Sequence, residues 1–239
     1  MTWVAGVDGC PAGWCVVLRE IGSRKSFFLG PISHVSEVLT IPESPTIVAV
    51  DIPIGLLRKA EHGGRECDRL ARELLKKRGC CVFSPPARTA LAYSENYPAA
   101  NEANRKSSAE SIGVSRQAFA LFPKLRQVDE WIDAEKQRCV REVHPELCFF
   151  EMNDHHPFLS SKKDVAGRRD RRKILHAEEF CSVIEEALGK TRRKEVAEED
   201  ILDACAACWT GERIAKSKGI CLPLNPPKDD KGLRMEIWR

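Results

Sequence analysis

Two short apolar runs constrain this chain most. Val4-Ala5-Gly6-Val7-Asp8-Gly9-Cys10 stands near the start, and Thr46-Ile47-Val48-Ala49-Val50-Asp51-Ile52-Pro53 comes later. Each reads as a buried strand that ends in an aspartate. The uninterrupted apolar residues before Asp51 suit a central strand covered on both faces. A carboxylate at the tip of such a strand is costly unless something binds it. The pattern therefore predicts a sheet core with two acids at its rim, and asks whether they share a ligand.

The residues between the two runs supply the order of elements. Gly9 to Gly13 is a tight turn, and Trp14 to Leu18, "WCVVL", is β-branched and aromatic enough for a second strand. Ser26 to Leu29 offers a third. Ser33 can cap a short helix through Leu39, which Pro42 and Pro45 end. The opening order is then β-β-β-α-β, with an aspartate on the first strand and another on the last.

Further along, Arg65 to Arg78 is amphipathic: Arg65, Arg69, Arg72 and Lys76 share one face, and Cys67, Leu70, Ala71 and Leu74 the opposite one. Residues 83–98 carry three prolines and read as irregular. Helices are expected near 98–110 and 115–138, the second capped by Ser115. A strand is expected at 141–144, closed by Pro145. A polar basic loop then covers 153–172, a helix 171–188, and a last helix 198–216 follows a charged linker. The tail holds a short strand at 234–238. The expectation is a single α/β domain over 1–239, with helices on both faces of a mixed sheet and a mostly helical insertion at about 84–138.

Composition excludes several classes. With 43% apolar and 31% charged residues in 239, the chain can bury a real core. No apolar run approaches the ~20 residues of a membrane span, and the N-terminus shows no secretory pattern. Eleven scattered cysteines, an odd number, suit reduced thiols in a cytoplasm better than a disulfide framework. Net charge is only +3, but it is unevenly spread. Lys162 to Lys173, "KKDVAGRRDRRK", holds seven bases against two acids, and Arg58 to Arg78 holds eight against four. Such clusters meet phosphate, or are simply solvated faces.

The last helix contributes a third acidic stretch, "EEDILDACAACW" (198–209). Asp200 and Asp203 are three apart and lie on neighbouring parts of one face. Asp203 lies past the first turn in apolar company. The small residues Ala207 and Thr210 along its face would let the helix approach a sheet closely and carry Asp203 to the strand tips. Hydrolysis of a phosphodiester needs a nucleophilic water and neutralisation of charge on oxygen. Two Mg²⁺ or Mn²⁺ ions about 3.5–4 Å apart supply both, and such ions take carboxylates from rigid elements. Asp8, Asp51 and Asp203 would be that set. Singly, Asp8 has a plainer reading as an Asx-turn acid, Asp51 as a turn or N-cap acid and Asp200 as a helix-dipole charge, while Asp203 has the poorest such reading.

Cys205-Ala206-Ala207-Cys208 is a lone C-x-x-C inside a helix, without a second pair at zinc-like spacing; it reads as two small hydrophobes. Asp154-His155-His156 stands where a glycine-rich turn is expected after Asn153, and reads as a solvated loop.

The pieces "GVDGCPAGW" (6–14), "VDIPIGL" (50–56), "RECDRLARELL" (65–75), "CVFSPPAR" (81–88) and "VSRQAFALFPKLRQVDEWI" (114–132) resemble a family of predicted RNase H-like nucleases. So do "HPELCFF" (144–150), "KKDVAGRRDRRKIL" (162–175) and "DILDACAACWTGERI" (200–214), whose D-x-x-D-A beginning is similar to the helix of Holliday-junction resolvases. The resemblance implies an RNase H-like mixed sheet and a metal-dependent nuclease acting on DNA or RNA. It implies Asp8, Asp51 and Asp203 as ligands of two divalent ions, and Asp200 is a further candidate metal ligand. Glu146 is either a fourth catalytic acid or a helix-opening charge after Pro145; His144 is a proton shuttle or a buried strand-end histidine. Arg65, Arg69, Arg72, Lys124, Arg126, Lys162, Lys163 and Arg169 are candidates for the substrate backbone, with surface solvation, and Asp129 as an internal partner for Lys124 and Arg126, as the alternative. Two other readings stay open: a non-catalytic nucleotide or nucleic-acid binding module, and an actin-like phosphotransferase-related nucleotide binder. The second lacks a duplicated core here. The oligomeric state is open, a homodimer included.

Overall fold

A computed structural model describes residues 1–239. The first strands are β1 (Trp3–Cys10), β2 (Gly13–Glu20), β3 (Ser26–Ile32) and β4 (Ile47–Val50). Helices α1 (Glu66–Leu75), α2 (Tyr97–Ser107), α3 (Arg116–Phe119) and α4 (Phe122–Trp131) precede β5 (Val140–Glu142). Then come α5 (Pro145–Met152), α6 (Val165–Ala177), α7 (Cys181–Lys190) and α8 (Glu198–Ala215), and a short ribbon of β6 (Cys221–Leu222) and β7 (Ile237–Trp238). The main sheet has five strands in the order β3-β2-β1-β4-β5. The β1–β2 and β2–β3 pairs are antiparallel, while β1–β4 and β4–β5 are parallel. This is the expected α/β mixed sheet, with a 3-10 turn in place of the helix expected between β3 and β4.

The chain divides into two compact units. The first comprises 1–51, 139–220 and 238–239, and the second 52–138 and 221–237. The second unit begins directly after Asp51, well before the insertion expected at about 84. Its N-terminal part is organised by Arg65, whose guanidinium donates to Ile54 O, Gly55 O and the Asp68 carboxylate. These bonds fold residues 52–65 back on α1.

In the first unit, Val4, Ala5, Val7, Val48, Ala49 and Val50 are all solvent-free, so the central strands are covered on both faces. The main apolar cluster joins one sheet face, including Val4, Val17, Phe28 and Ala49, to α5, α7 and α8. Gly6 fixes how close α8 comes. A Cβ there would lie 2.1 Å from Ala204 O and 2.2 Å from Cys208 N, so any side chain would push the helix off. Besides the small residues expected along the helix at Ala207 and Thr210, the strand itself supplies a gap, opposite Ala204 and Cys208.

Several local expectations change. The helix expected from Ser33 is a 3-10 turn, Val35–Leu39, and its N-cap is His34, with Glu37 completing a capping box. The single helix expected over 171–188 is two, because Glu179 adopts a left-handed φ of 64° and turns the chain between α6 and α7. The loop expected over 153–172 is helical from Val165, which gives the basic run a defined face. The stretch 115–138 breaks into α3, α4 and a 3-10 turn. No helix is long and apolar enough to cross a membrane.

Candidate functional site

Strand register brings the first two acids together. Gly6 pairs with Ala49 and Val7 with Val50 across the parallel β1–β4 edge, and the next step sets Asp8 beside Asp51. The Asp51 N–H donates to Val7 O at 2.9 Å, which extends the ladder to that point. Side chains alternate along a strand. Gly6 faces α8, so Asp8, two residues on, faces the same way. Ala49 also faces α8, its Cβ 3.4 Å from where a Gly211 Cβ would lie, so Asp51 does too.

Helix α8 brings the third. Gly211 lies over Ala5 and Ile47 near the strand starts, and Ala204 over Gly6. The helix thus runs against the strands, and its first turns overhang their C-terminal tips. Asp203 precedes Ala204 and is 1% exposed, while Asp8 is 6% exposed. Asp200, one turn earlier, caps the helix by accepting from Ala197 N at 2.9 Å. Its dipole role and its place beside the cluster are compatible.

The electrostatics carry the signature of crowded like charge. Burial holds the Asp8 carboxyl well above the usual range, Asp51 and Asp203 push it further up, and Lys162 opposes them. Burial likewise raises Asp203, against the pull of Lys162 and with Asp51 and Glu146 adding to it. Asp200 rises to about 6, chiefly through burial. Lys162 Nζ ion-pairs with Asp203 Oδ2, and its own pKa is raised, by Asp203 first.

Glu146 is close enough to Asp203 to act on it, but its carboxylate is committed elsewhere. Both oxygens accept from Arg171 Nη2, at 2.7 and 2.9 Å. It also opens α5, whose N-cap His144 accepts from Glu146 N through Nδ1 at 3.2 Å. His144 is thus used as a cap. Arg171, fully buried, was not singled out from sequence. Its signal was available: Gly167, Arg171 and Leu175 recur at four-residue spacing, which is one face of α6 once that stretch is read as helix.

The expected cationic residues divide. Arg65 is 1% exposed and satisfied by Asp68 and two carbonyls, so it is a structural cation and not a surface contact, which corrects the sequence expectation. Arg69 donates to Gly64 O, and Arg72 to Gly63 O, Val82 O and Ser84 Oγ. Arg126 is exposed and pairs with Glu130, and Lys124 is half-buried. Asp129 pairs with Arg88 and Lys231. All of these belong to the second unit. In the first unit Lys163 and Arg169 are exposed on or beside α6. A cavity of about 500 Å³ there is lined by Arg168, Arg169, Arg172, Lys173, His176 and Glu198. Glu198 partly neutralises this groove by pairing with Arg168 and Arg172, each at 3.3 Å.

Other candidates are quiet. Cys205 and Cys208 are buried, and burial pushes the Cys208 thiol up to about 12, so both pack as core. His155 lies 3.4 Å from Glu151 Oε1 and stacks near Phe150, and His156 is exposed.

The donor chemistry at the strand tips fits a hard divalent cation: carboxylates from rigid elements, with Asp8 and Asp203 buried and Asp51 half-buried beside them. No group of three or more His, Cys, Asp or Glu side chains closes to ligand spacing. Mg²⁺ usually keeps several waters and takes one or two carboxylates, so Asp8 and Asp51 suffice to hold one.

Residues 6–228 match the model of a family described as "Protein of unknown function (DUF429)". No curated protein and no solved structure matches the chain. The match covers nearly the whole sequence, and the chain belongs to that family.

Proposed function

We propose that this member of the DUF429 family is a divalent-metal-dependent nuclease, hydrolysing phosphodiester bonds of DNA or RNA at the tips of β1 and β4. The observation that carries this reading is the gathering of Asp8, Asp51, Asp203 and Asp200 against one cation, Lys162. A folded protein keeps buried like charges together at a cost, and a cation-binding role explains why. The strand order, and the acids on the first and fourth strands and the late helix, are also what the RNase H-like resemblance implies.

Asp8 and Asp51 would hold a Mg²⁺ or Mn²⁺ ion. When bound, it neutralises charge on the phosphoryl oxygens and lowers the pKa of a bound water. Asp203, held by Lys162, orients the attacking water and takes its proton. Burial raises the pKa of that carboxyl, which strengthens it as a proton acceptor. Arg169, Lys163 and Lys173 offer exposed charge to neighbouring phosphates. The eleven cysteines, all free thiols, fit a reducing, cytoplasmic setting.

The test is a cleavage screen over single-stranded, duplex, hybrid and branched nucleic acids with Mg²⁺ and with Mn²⁺. Cleavage that vanishes on chelation and in Asp8→Asn is the expected result. Equal cleavage by wild type and Asp8→Asn removes the assignment. One observation favours a second reading: Lys162 already occupies Asp203, as it would in a module that binds nucleic acid without cutting it. That reading expects retained binding and no cleavage with either metal.

A further inference from the structure

The acid cluster contains a cation of its own, and the fold holds the segment that delivers it. Lys162 Nζ pairs with Asp203 and not with Asp8 or Asp51. Its side chain is 37% exposed, so it sits at the mouth of the cluster. The segment just before it is pinned from behind. Arg171 Nη1 donates to Ser160 O at 3.1 Å and to Gly167 O at 3.0 Å, while Nη2 is clamped by Glu146. A Cβ on Gly167 would lie 1.9 Å from Ser161 O, so the segment presses directly on α6. The Arg171 guanidinium also lies 5.4 Å from the Phe149 ring centroid and 5.3 Å from that of Phe158. A surface lysine drifting toward a carboxylate needs none of this construction. A lysine that must stand at one place does.

We propose that Lys162 is a built-in cation that fills one of the two positions a paired-metal site would use, so that the protein binds a single divalent ion, on Asp8 and Asp51. The inference rests on the metal-dependent reading above and fixes its stoichiometry at one ion, where the sequence pattern predicts two. Charge supports it: four carboxylates against one ammonium leave room for one divalent ion, whereas two divalent ions beside a fixed ammonium would reverse the sign of the site. Coordination supports it too, since Asp203 is engaged and two acids remain adjacent across the β1–β4 edge. An ammonium is a compact point charge with rotatable donors, able to stabilise a phosphoryl oxygen where a second ion otherwise would. Glu146 and Arg171 are then positioning residues that act through the segment they hold.

The experiment is a count of Mn²⁺ bound per chain, by isothermal titration and by electron paramagnetic resonance of free Mn²⁺, in the full chain. Wild type should bind one ion, lost in Asp8→Asn. Lys162→Met and Lys162→Gln, which free Asp203, should each bind two, and Lys162→Arg should bind one. Circular dichroism confirms that each variant is folded, and the wild-type count decides even if a variant is not. Two ions in wild type overturn this inference and leave the metal-dependent reading intact. One ion in wild type and still one in both neutral variants also overturns it. No ion at saturating Mn²⁺ overturns the metal-dependent reading itself.

Discussion

Two regions of the molecule remove carboxylates from water in opposite ways. In the second unit, Asp229 has a solvent-free side chain and Asp129 one that is 12% exposed; Arg88 pairs with both, and Lys231 also pairs with Asp129. Asp229 further accepts from the backbone N–H groups of Leu56, Lys231 and Leu233. There each acid has a cation and the whole ties distant segments of that unit together. In the first unit, Asp8, Asp51, Asp203 and Asp200 share Lys162. The balanced network reads as architecture. The unbalanced one is relieved only by taking up protons or a cation, and that difference nominates a site without reference to any relative.

The comparison breaks most decisively if the two regions respond alike to loss of an acid. Asp8→Asn is expected to reduce cleavage by about 10³-fold or more, the scale of losing a group on which metal catalysis depends. The same change should raise the melting temperature of the metal-free protein, since it removes like-charge repulsion. Asp229→Asn is expected to do the reverse: no direct effect on the chemistry, but a loss of about 3 kcal/mol of stability, because the buried Arg88 pair loses its charge partner and one of the two oxygens becomes an amide NH₂ that cannot accept from Leu56 N or Arg88. Kinetics and denaturant titration on both variants check the pair. Equal destabilisation in the two would mean that the strand-tip acids are structural after all.

A smaller effect, in pH, sharpens the same contrast. Asp8, Asp203 and Asp200 have folded pKa values above their unfolded ones, with Asp200 raised from 3.8 to about 6. The folded state therefore holds protons that the unfolded chain releases. Stability of the metal-free protein should fall as pH rises from about 4 through 6, and Asp200→Asn should flatten that window. Mg²⁺ competes with those protons, so its stabilisation should be larger at pH 7 than at pH 5. Melting curves at the two pH values, with and without Mg²⁺, measure this. A metal-free melting temperature that rises from pH 5 to pH 7 contradicts the sign.

Much of this site is legible in sequence because it is carried by strands. An apolar run ending in Asp reports both a buried strand and the position of its tip, and "DILDACAA" reports a helix acid in apolar company. What hides is the part carried by the stretch after Asn153. Asp154 and His155 adopt left-handed φ values of 49° and 63°. The backbone thus takes a turn conformation that glycine favours, but no glycine announces it. Lys162 could be nominated as a basic residue, yet only coordinates show that it points at an acid instead of at solvent. Arg171 hides for a different reason. A buried arginine in a run of seven bases looks like its exposed neighbours until the helix face is known. The boundary between the units hides too, because Ile52-Pro53 continues an apolar pattern across the point where the packing changes.

The smallest expected effect concerns the basic groove on α6, which lies between the two behaviours. Arg168 and Arg172 are tied to Glu198 and resemble the balanced network. Arg169 is 77% exposed at its side chain, with only a 3.7 Å contact to Asp170, and Lys173 is also exposed. Each exposed base that meets a phosphate releases about one counterion, so Arg169→Ala and Lys173→Ala should each lower the slope of log affinity against log salt by about 1. Arg168→Ala and Arg172→Ala should lower it less, since each also frees Glu198. Binding of a catalytically silent Asp8→Asn background to a fixed oligonucleotide, measured at several salt concentrations, separates the two pairs. If all four variants leave the slope unchanged, α6 is a solvated face and the substrate track lies elsewhere on the first unit or on the second. If the tied pair moves it as much as the exposed pair, Glu198 is not neutralising the groove, and local charge balance fails as a guide to which arginines serve substrate.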